Sequence, residues 1–85
     1  MCNFTKTVTI TAILFGPIER DGQQELVVVV SDGCHSFEIL LISAGQVVTA
    51  YYEKEGACEV FCDPNLADLN VGETIELGVA IPKDN

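Results

Sequence analysis

The sequence predicts an all-β fold, a small antiparallel barrel or sandwich of about five to six strands. Three observations predict it. Apolar and polar residues alternate from Thr5 to Phe15, a β-branched run extends from Leu26 to Val30, and tight-turn residues recur between the apolar segments. At 85 residues, of which 48% are hydrophobic, the chain is expected to fold as a single domain spanning residues 1–85.

The first predicted strand is Thr5–Phe15, in which most apolar residues share one face and four threonines share the other. Ile13 and Phe15 interrupt the threonine face, so the far end of this strand is expected to be covered on both sides. Gly16 and Pro17 follow, and this pair is expected to end or bend the strand.

The next two strands are predicted on either side of a tight turn. Arg20–Gln23 contains Asp-Gly and forms the first hairpin turn. Leu26–Val30 is too short for a typical helix and indicates a central strand covered on both faces. After a turn at Ser31–Gly33, alternating residues predict a third strand over Phe37–Ile42.

Three further strands are predicted in the second half of the chain. Gln46–Glu53 fits either a strand or a short helix, and its valines and tyrosines favour a strand. Ala57–Cys62 and Thr74–Ile81 are the other two, and Pro82 ends the last one.

A single helical turn is expected near residues 64–69. Asp63 would cap it, and Pro64 would occupy the first helical position. The rhythm of strand, bend, hairpin, intervening segment and final strand resembles an OB-type barrel. The strands lack the interleaved basic residues and exposed aromatics that nucleic-acid-binding members of that fold use, so direct nucleic-acid binding is not expected.

Charge is the strongest signal in the composition. The chain has 13 acidic and 4 basic residues, a formal net charge of −9. The acids are concentrated in residues 53–76, and such a surface repels phosphate backbones. It suits a protein partner with a basic surface. The sequence shows neither a signal peptide nor an apolar run of the roughly 20 residues that cross a bilayer, so a cytoplasmic location without membrane attachment is expected.

The expected function is that of a small, non-enzymatic protein-binding module that needs no cofactor. It would act as an inhibitor or adaptor, for example one encoded by a virus or mobile element, and would dock on a basic, nucleic-acid-binding surface of its partner. An exposed tyrosine beside acidic residues would anchor the complex. The expected partner-binding residues are Tyr51, Tyr52, Glu53, Glu55, Glu59, Asp63 and Asp68.

The alternative function is a small-molecule- or metal-binding barrel that uses Cys34 and His35 or the region of Cys58 and Cys62. Zinc sites usually pair cysteines two to four residues apart. On a strand, however, positions 58 and 62 are about 13 Å apart and cannot share one metal. Adjacent strand residues such as Cys34 and His35 point to opposite faces, which disfavours both a metal site and a nucleophile–base pair.

A homodimer is also compatible with the sequence, since the valine-rich strand Leu26–Val30 could pair across a two-fold axis.

Overall fold

A computed structural model of the chain describes residues 6–52 and 56–81, with the backbone alone at 52, 56 and 79–81. Six antiparallel strands form a closed barrel, which confirms the predicted all-β fold. The strands are β1 (Lys6–Arg20), β2 (Gln23–Ser31), β3 (Ser36–Ala44), β4 (Val47–Tyr52), β5 (Gly56–Phe61) and β6 (Thr74–Ile81). A single 3-10 turn, Leu66–Asp68, is the helical element of the described residues.

Consecutive strands are neighbours throughout, and β6 closes the barrel by pairing with β1. The barrel is therefore an up-and-down meander, whereas OB-type barrels have five strands in Greek-key order. The likeness to that fold is limited to the rhythm of the elements. The residues between 46 and 53 that fitted either a strand or a helix form strand β4.

The barrel interior is filled by side chains from all six strands, as expected for a barrel of this size. In β2, Leu26, Val28 and Val30 are fully buried, while Val27 and Val29 on the outer face are only half-buried. The valine strand is therefore central in the sheet but covered fully on one face only. The buried residues from the strands are Val8, Ile10, Leu26, Val28, Val30, Ile39, Leu41, Val48, Ala50, Cys58, Val60, Ile75 and Leu77.

The connection between β5 and β6 covers one end of the barrel. Leu66, in its 3-10 turn, is fully buried, and its backbone N–H donates to the side chain of Gln24 at 2.8 Å. The hydroxyl of the buried Ser43 donates to the carbonyl of Pro64. The connection is thus fastened to both β2 and β3, and Leu66 plugs this end.

The predicted helical turn is present, but its predicted cap is wrong. Asn65, not Asp63, is the N-cap, and its side chain accepts from the N–H of Ala67. Asp63 instead accepts from the N–H of Asn65 at 2.9 Å, which places Pro64 before the helical turn. The short polar side chains form two successive local turns, so the helix begins later than the proline indicates.

The first strand differs most from its prediction. β1 continues through Gly16 and Pro17 to Arg20, and its register with β2 shifts between Ile10 and Ala12, between Ile13 and Phe15, and between Phe15 and Ile18. Simple alternation therefore fails after Ile10. Ile13 and Phe15 are exposed, so the expectation that this end is covered on both sides is wrong.

Gly16 lies against β2 more closely than any other residue type allows. It has a φ of +95°, and a Cβ placed on it would lie 2.6 Å from the backbone oxygen of Glu25. Gly45 also has a positive φ, of +64°, but has open space around the corresponding position. Comparing an alanine substitution at Gly16 with one at Gly45 therefore separates the cost of backbone strain from the cost of a steric clash.

We expect Gly16→Ala to lower the free energy of unfolding by about 2 to 4 kcal/mol, because strain and overpacking add. Gly45→Ala should cost about 1 kcal/mol from strain alone. Urea unfolding of the two variants measures the difference. Equal losses would show that β1 does not approach β2 closely at Gly16.

Candidate protein-binding surface

The outer face of the barrel carries an apolar row that runs across four strands. Phe15 pairs with Val27, Val27 with Leu40, and Leu40 with Tyr51. Directly opposed residues share a face, so these four side chains lie side by side over about 14 Å. Phe15 and Tyr51 at the two ends are 55% and 45% exposed, and the two residues between them are half-buried. We refer to these four residues as the Tyr51 row.

Two exposed carboxylates flank Tyr51. Glu38 lies two residues from Leu40 on β3, and Glu59 lies two residues from Ala57 on β5; Leu40 and Ala57 are the direct partners of Tyr51. Both glutamates are therefore diagonal neighbours of Tyr51, with Cα separations of about 7 to 8 Å. An exposed aromatic with a carboxylate on either side presents an apolar contact edged by negative charge.

Phe61 is a further exposed aromatic residue of the outer face, with an exposed fraction of 51%. The ring of Phe61 lies over Gly78, where a side chain on the glycine would collide with it. Phe61 pairs with Glu76 on the outer face and is outside the Tyr51 row. Part of its ring is therefore occupied by packing on β6.

A second group of carboxylates surrounds the end of the barrel that Leu66 plugs. Asp63 and Asp68 lie in the connection beside Asn65, whose side-chain amide donates to Asp68 at 3.3 Å. The remaining carboxylates of this group come from the strand ends and turns at the same end of the barrel. The group, called here the acidic end, consists of Glu19, Asp21, Asp63, Asp68 and Glu73, all exposed.

The predicted partner-binding residues are therefore divided. Tyr51 and Glu59 lie together on the outer wall, whereas Asp63 and Asp68 lie at the acidic end. Glu53 and Glu55 lie outside the described residues, as does the side chain of Tyr52, whose backbone pairs with Gly56.

Sequence reasoning missed three members of the Tyr51 row and Glu38. Phe15, Val27 and Leu40 are far apart in the chain, and their alignment follows from the pairing of four strands. No local pattern contains that information. Counting residues back from the β2–β3 turn would have aligned Val27 with Leu40. The register shifts in β1 mean that the same counting does not align Phe15 with Val27.

Both basic residues within the described part of the chain are already paired. Lys6 lies 3.2 Å from Asp32, and Arg20 lies 3.5 Å from Glu25. The remaining described carboxylates form no ion pair within those residues, so they carry their charge outward. They are Glu19, Asp21, Glu38, Glu59, Asp63, Asp68, Glu73 and Glu76.

Cys34 and His35 belong to a turn that Asp32 organises. One carboxylate oxygen of Asp32 accepts from the N–H of Cys34 at 2.9 Å and of His35 at 2.8 Å, and the other pairs with Lys6. Lys6 in turn lies 5.8 Å from the ring centre of Phe37, at the end of the barrel opposite Leu66. The cysteine and histidine contribute backbone groups to this turn, and both side chains are exposed.

Three of the four cysteines lie within the described residues, and they are distributed along the length of the barrel. Cys34 is at one end, Cys58 is buried in the interior, and Cys62 lies in the connection at the other end. Burial, with the charge of Asp63, raises the pKa of the Cys62 thiol to about 11, which keeps it protonated at neutral pH. Across the residues that the structure describes, no three His, Cys, Asp or Glu side chains are grouped to hold a metal.

The valine strand has no free edge in the closed barrel. β1 and β3 pair with its two sides along almost its whole length. A homodimer built by pairing β2 across a two-fold axis would require breaking one of these ladders. The free edge of the sheet lies instead on the second half of β1.

Comparisons with family models, with curated proteins and with solved structures found no match to this chain. No helix within the described ranges is both long and apolar enough to cross a membrane.

The Asp32 turn predicts a measurable dependence of stability on pH. The N–H groups of Cys34 and His35, together with the Lys6 ammonium, hold the pKa of the Asp32 carboxyl well below its usual value of 3.8. A carboxyl with a lowered folded-state pKa stabilises the fold above its unfolded pKa, and this contribution is lost as the pH falls.

We expect Asp32→Asn to be less stable than the wild type at pH 7, and the two to converge as the pH falls from about 5 towards 2. Urea midpoints measured across this range test the expectation. Parallel curves for the two proteins would show that Asp32 is not held ionised by the turn.

Proposed function

We propose that this chain is a small, non-enzymatic protein-binding module, an inhibitor or adaptor, that docks on a basic surface of its partner. The observation that carries the proposal is the Tyr51 row. An aromatic at either end and two aliphatic residues between them form a continuous contact of the kind that anchors protein interfaces. Single exposed apolar residues are normal on a protein surface and do not indicate binding. The four adjacent apolar residues of the Tyr51 row form a continuous patch, which does.

Charge supports a basic partner. Glu38 and Glu59 edge Tyr51, and neither has an ion-pair partner within the described residues. A partner with an apolar pocket rimmed by lysine or arginine would match both features of this surface. Surfaces that hold nucleic acid carry such basic residues, so we favour a nucleic-acid-binding protein as the partner.

Two observations favour this function over a ligand-binding barrel. Leu66 plugs one end, and at the other Phe37 packs against the core, beside Lys6 and the Asp32 turn. The interior between them is packed with aliphatic side chains. Small-molecule sites need a concave space with a few converging polar groups, and the packed interior of this barrel favours contact through its outer surface instead.

The test compares Tyr51→Ala with Val47→Ala as a matched control. Val47 lies on the same strand and the same face, is 54% exposed, and is about 13 Å from Tyr51, outside the row. Each tagged protein would be used to capture partners from a lysate of the organism that encodes it. Both substitutions are on the surface, so their stabilities should differ from the wild type by only about 0.5 kcal/mol.

We expect the wild type and Val47→Ala to retain the same basic protein, and Tyr51→Ala to retain at least about tenfold less of it. Raising the salt concentration should weaken capture, because charge pairs at an exposed rim are screened. Equal capture by both variants would contradict a role for the Tyr51 row, and capture independent of salt would contradict the charge component.

A further inference from the structure

The second half of β1 has an unpaired edge. β6 pairs with β1 from Lys6 to Thr9 only. Two backbone hydrogen bonds, from Ile10 N–H to the Glu73 carbonyl and from Gly72 N–H to the Ile10 carbonyl, extend this contact by one residue. Beyond Ile10, no strand among the described residues pairs with that side of β1, which leaves backbone donors and acceptors facing solvent.

Exposed apolar side chains mark this edge. Ile13 is 38% exposed and Leu14 is 51% exposed, and Phe15 belongs to the Tyr51 row. Proteins usually protect open edges with proline, charged residues or bulges. Here Pro17, Glu19 and Arg20 protect the last part of β1. The register shifts bend the strand within residues 12–16, but this segment carries neither a charged residue nor a proline, and Ile13, Leu14 and Phe15 in it are exposed.

We propose that the edge of β1 at residues 12–16 binds an extended segment of the basic partner, which adds to the sheet as a further strand. This inference rests on the proposed protein-binding function and names the form in which the partner binds. Strand addition satisfies the free backbone groups and gives affinity, while alternate side chains give specificity. A side chain of the added strand opposite Phe15 would extend the Tyr51 row by one position.

The charges around the edge of β1 indicate which kind of segment would bind there. Glu73 accepts from Ile10 through its backbone at one end of the edge, and Glu19 lies beyond Gly16 at the other. Both side chains are exposed and neither forms an ion pair within the described residues. An extended segment with apolar residues at its centre and lysine or arginine on both sides would match this pattern.

Other occupants are less suitable. A second copy pairing through the same edge would bring Glu19 and Glu73 of each chain together, between two molecules that each carry a net charge of −9. The edge is therefore directed towards a different protein.

The test uses the whole chain, labelled with nitrogen-15, and a synthetic peptide of sequence Lys-Lys-Val-Thr-Val-Lys-Lys as the probe. The matched control peptide has the same side chains but carries methyl groups on alternate backbone nitrogens, which prevents strand pairing. We expect shifts and slower hydrogen exchange at the amides of residues 12–16 with the first peptide. The methylated peptide should bind roughly tenfold more weakly, because two or more hydrogen bonds are lost.

A charge placed on the edge provides a second test. Leu14→Lys should weaken binding of the first peptide, whereas Val47→Lys on β4 adds the same charge away from the edge and should weaken it less. The amide spectrum of each variant reports whether it is folded. Equal weakening by the two variants would show that only net charge matters and would overturn the inference.

Four further results would overturn the edge assignment: equal binding of the two peptides, shifts confined to Val27, Leu40 and Tyr51, no shifts at millimolar peptide, or self-association of the free chain through residues 12–16. Each leaves the capture experiment with Tyr51→Ala unaffected. Failure of the edge inference is therefore distinguishable from failure of the proposed function.

Discussion

The arrangement of this barrel depends on the short backbone pairing between β1 and β6. β1 has 15 residues and β6 has 8, and among the described residues they pair directly over Lys6 to Thr9. This contact closes the barrel and encloses the aliphatic interior. Since β1 extends well beyond it, the second half of the strand pairs with β2 alone among the described strands. Closure at one end and an open edge at the other thus have one cause.

The outer surface follows from the same geometry. Successive antiparallel pairings transmit the register from β1 to β4, so Phe15, Val27, Leu40 and Tyr51 meet on one row. In each strand, the aliphatic side chains at one set of alternate positions fill the barrel interior. The side chains at the other set of positions therefore point outward. In β2 those alternate positions are also valines, and in β3 Leu40 occupies one of them. An apolar strip on the outside is the consequence.

Local sequence patterns predicted the strands but not the relations between them. The β-branched composition of Leu26–Val30 was sufficient to place β2, and the strand predicted over Thr74–Ile81, ended by Pro82, has the bounds of β6. Alternation failed in β1 after Ile10, because each bulge moves the following side chains to the other face. The Tyr51 row combines four strands, and a linear pattern does not contain their register. Tyr51 and Glu59 were predicted individually, whereas Phe15 and Glu38 were not.

The distribution of charge was also only partly accessible from the sequence. The acidic bias of residues 53–76 is evident, but the fold divides the described ones, with Glu59 on the outer wall and Asp63 and Asp68 at the plugged end of the barrel. Glu19 and Asp21, from the first half of the chain, join the acidic end because the β1–β2 turn lies there. Lys6 and Arg20 form ion pairs with Asp32 and Glu25, and the other described carboxylates form no ion pair within the described residues.

Amide hydrogen exchange of the free protein tests the central claim, that β1 closes the barrel with its first half and is open along its second. The amides of Val28 and Val30 in β2 should be strongly protected, as should those of Val8 and Ile10. Among Ile13, Leu14 and Phe15, those whose N–H groups face the open edge should exchange almost without protection. Protection of all three amides to the level of Val28 would contradict the account.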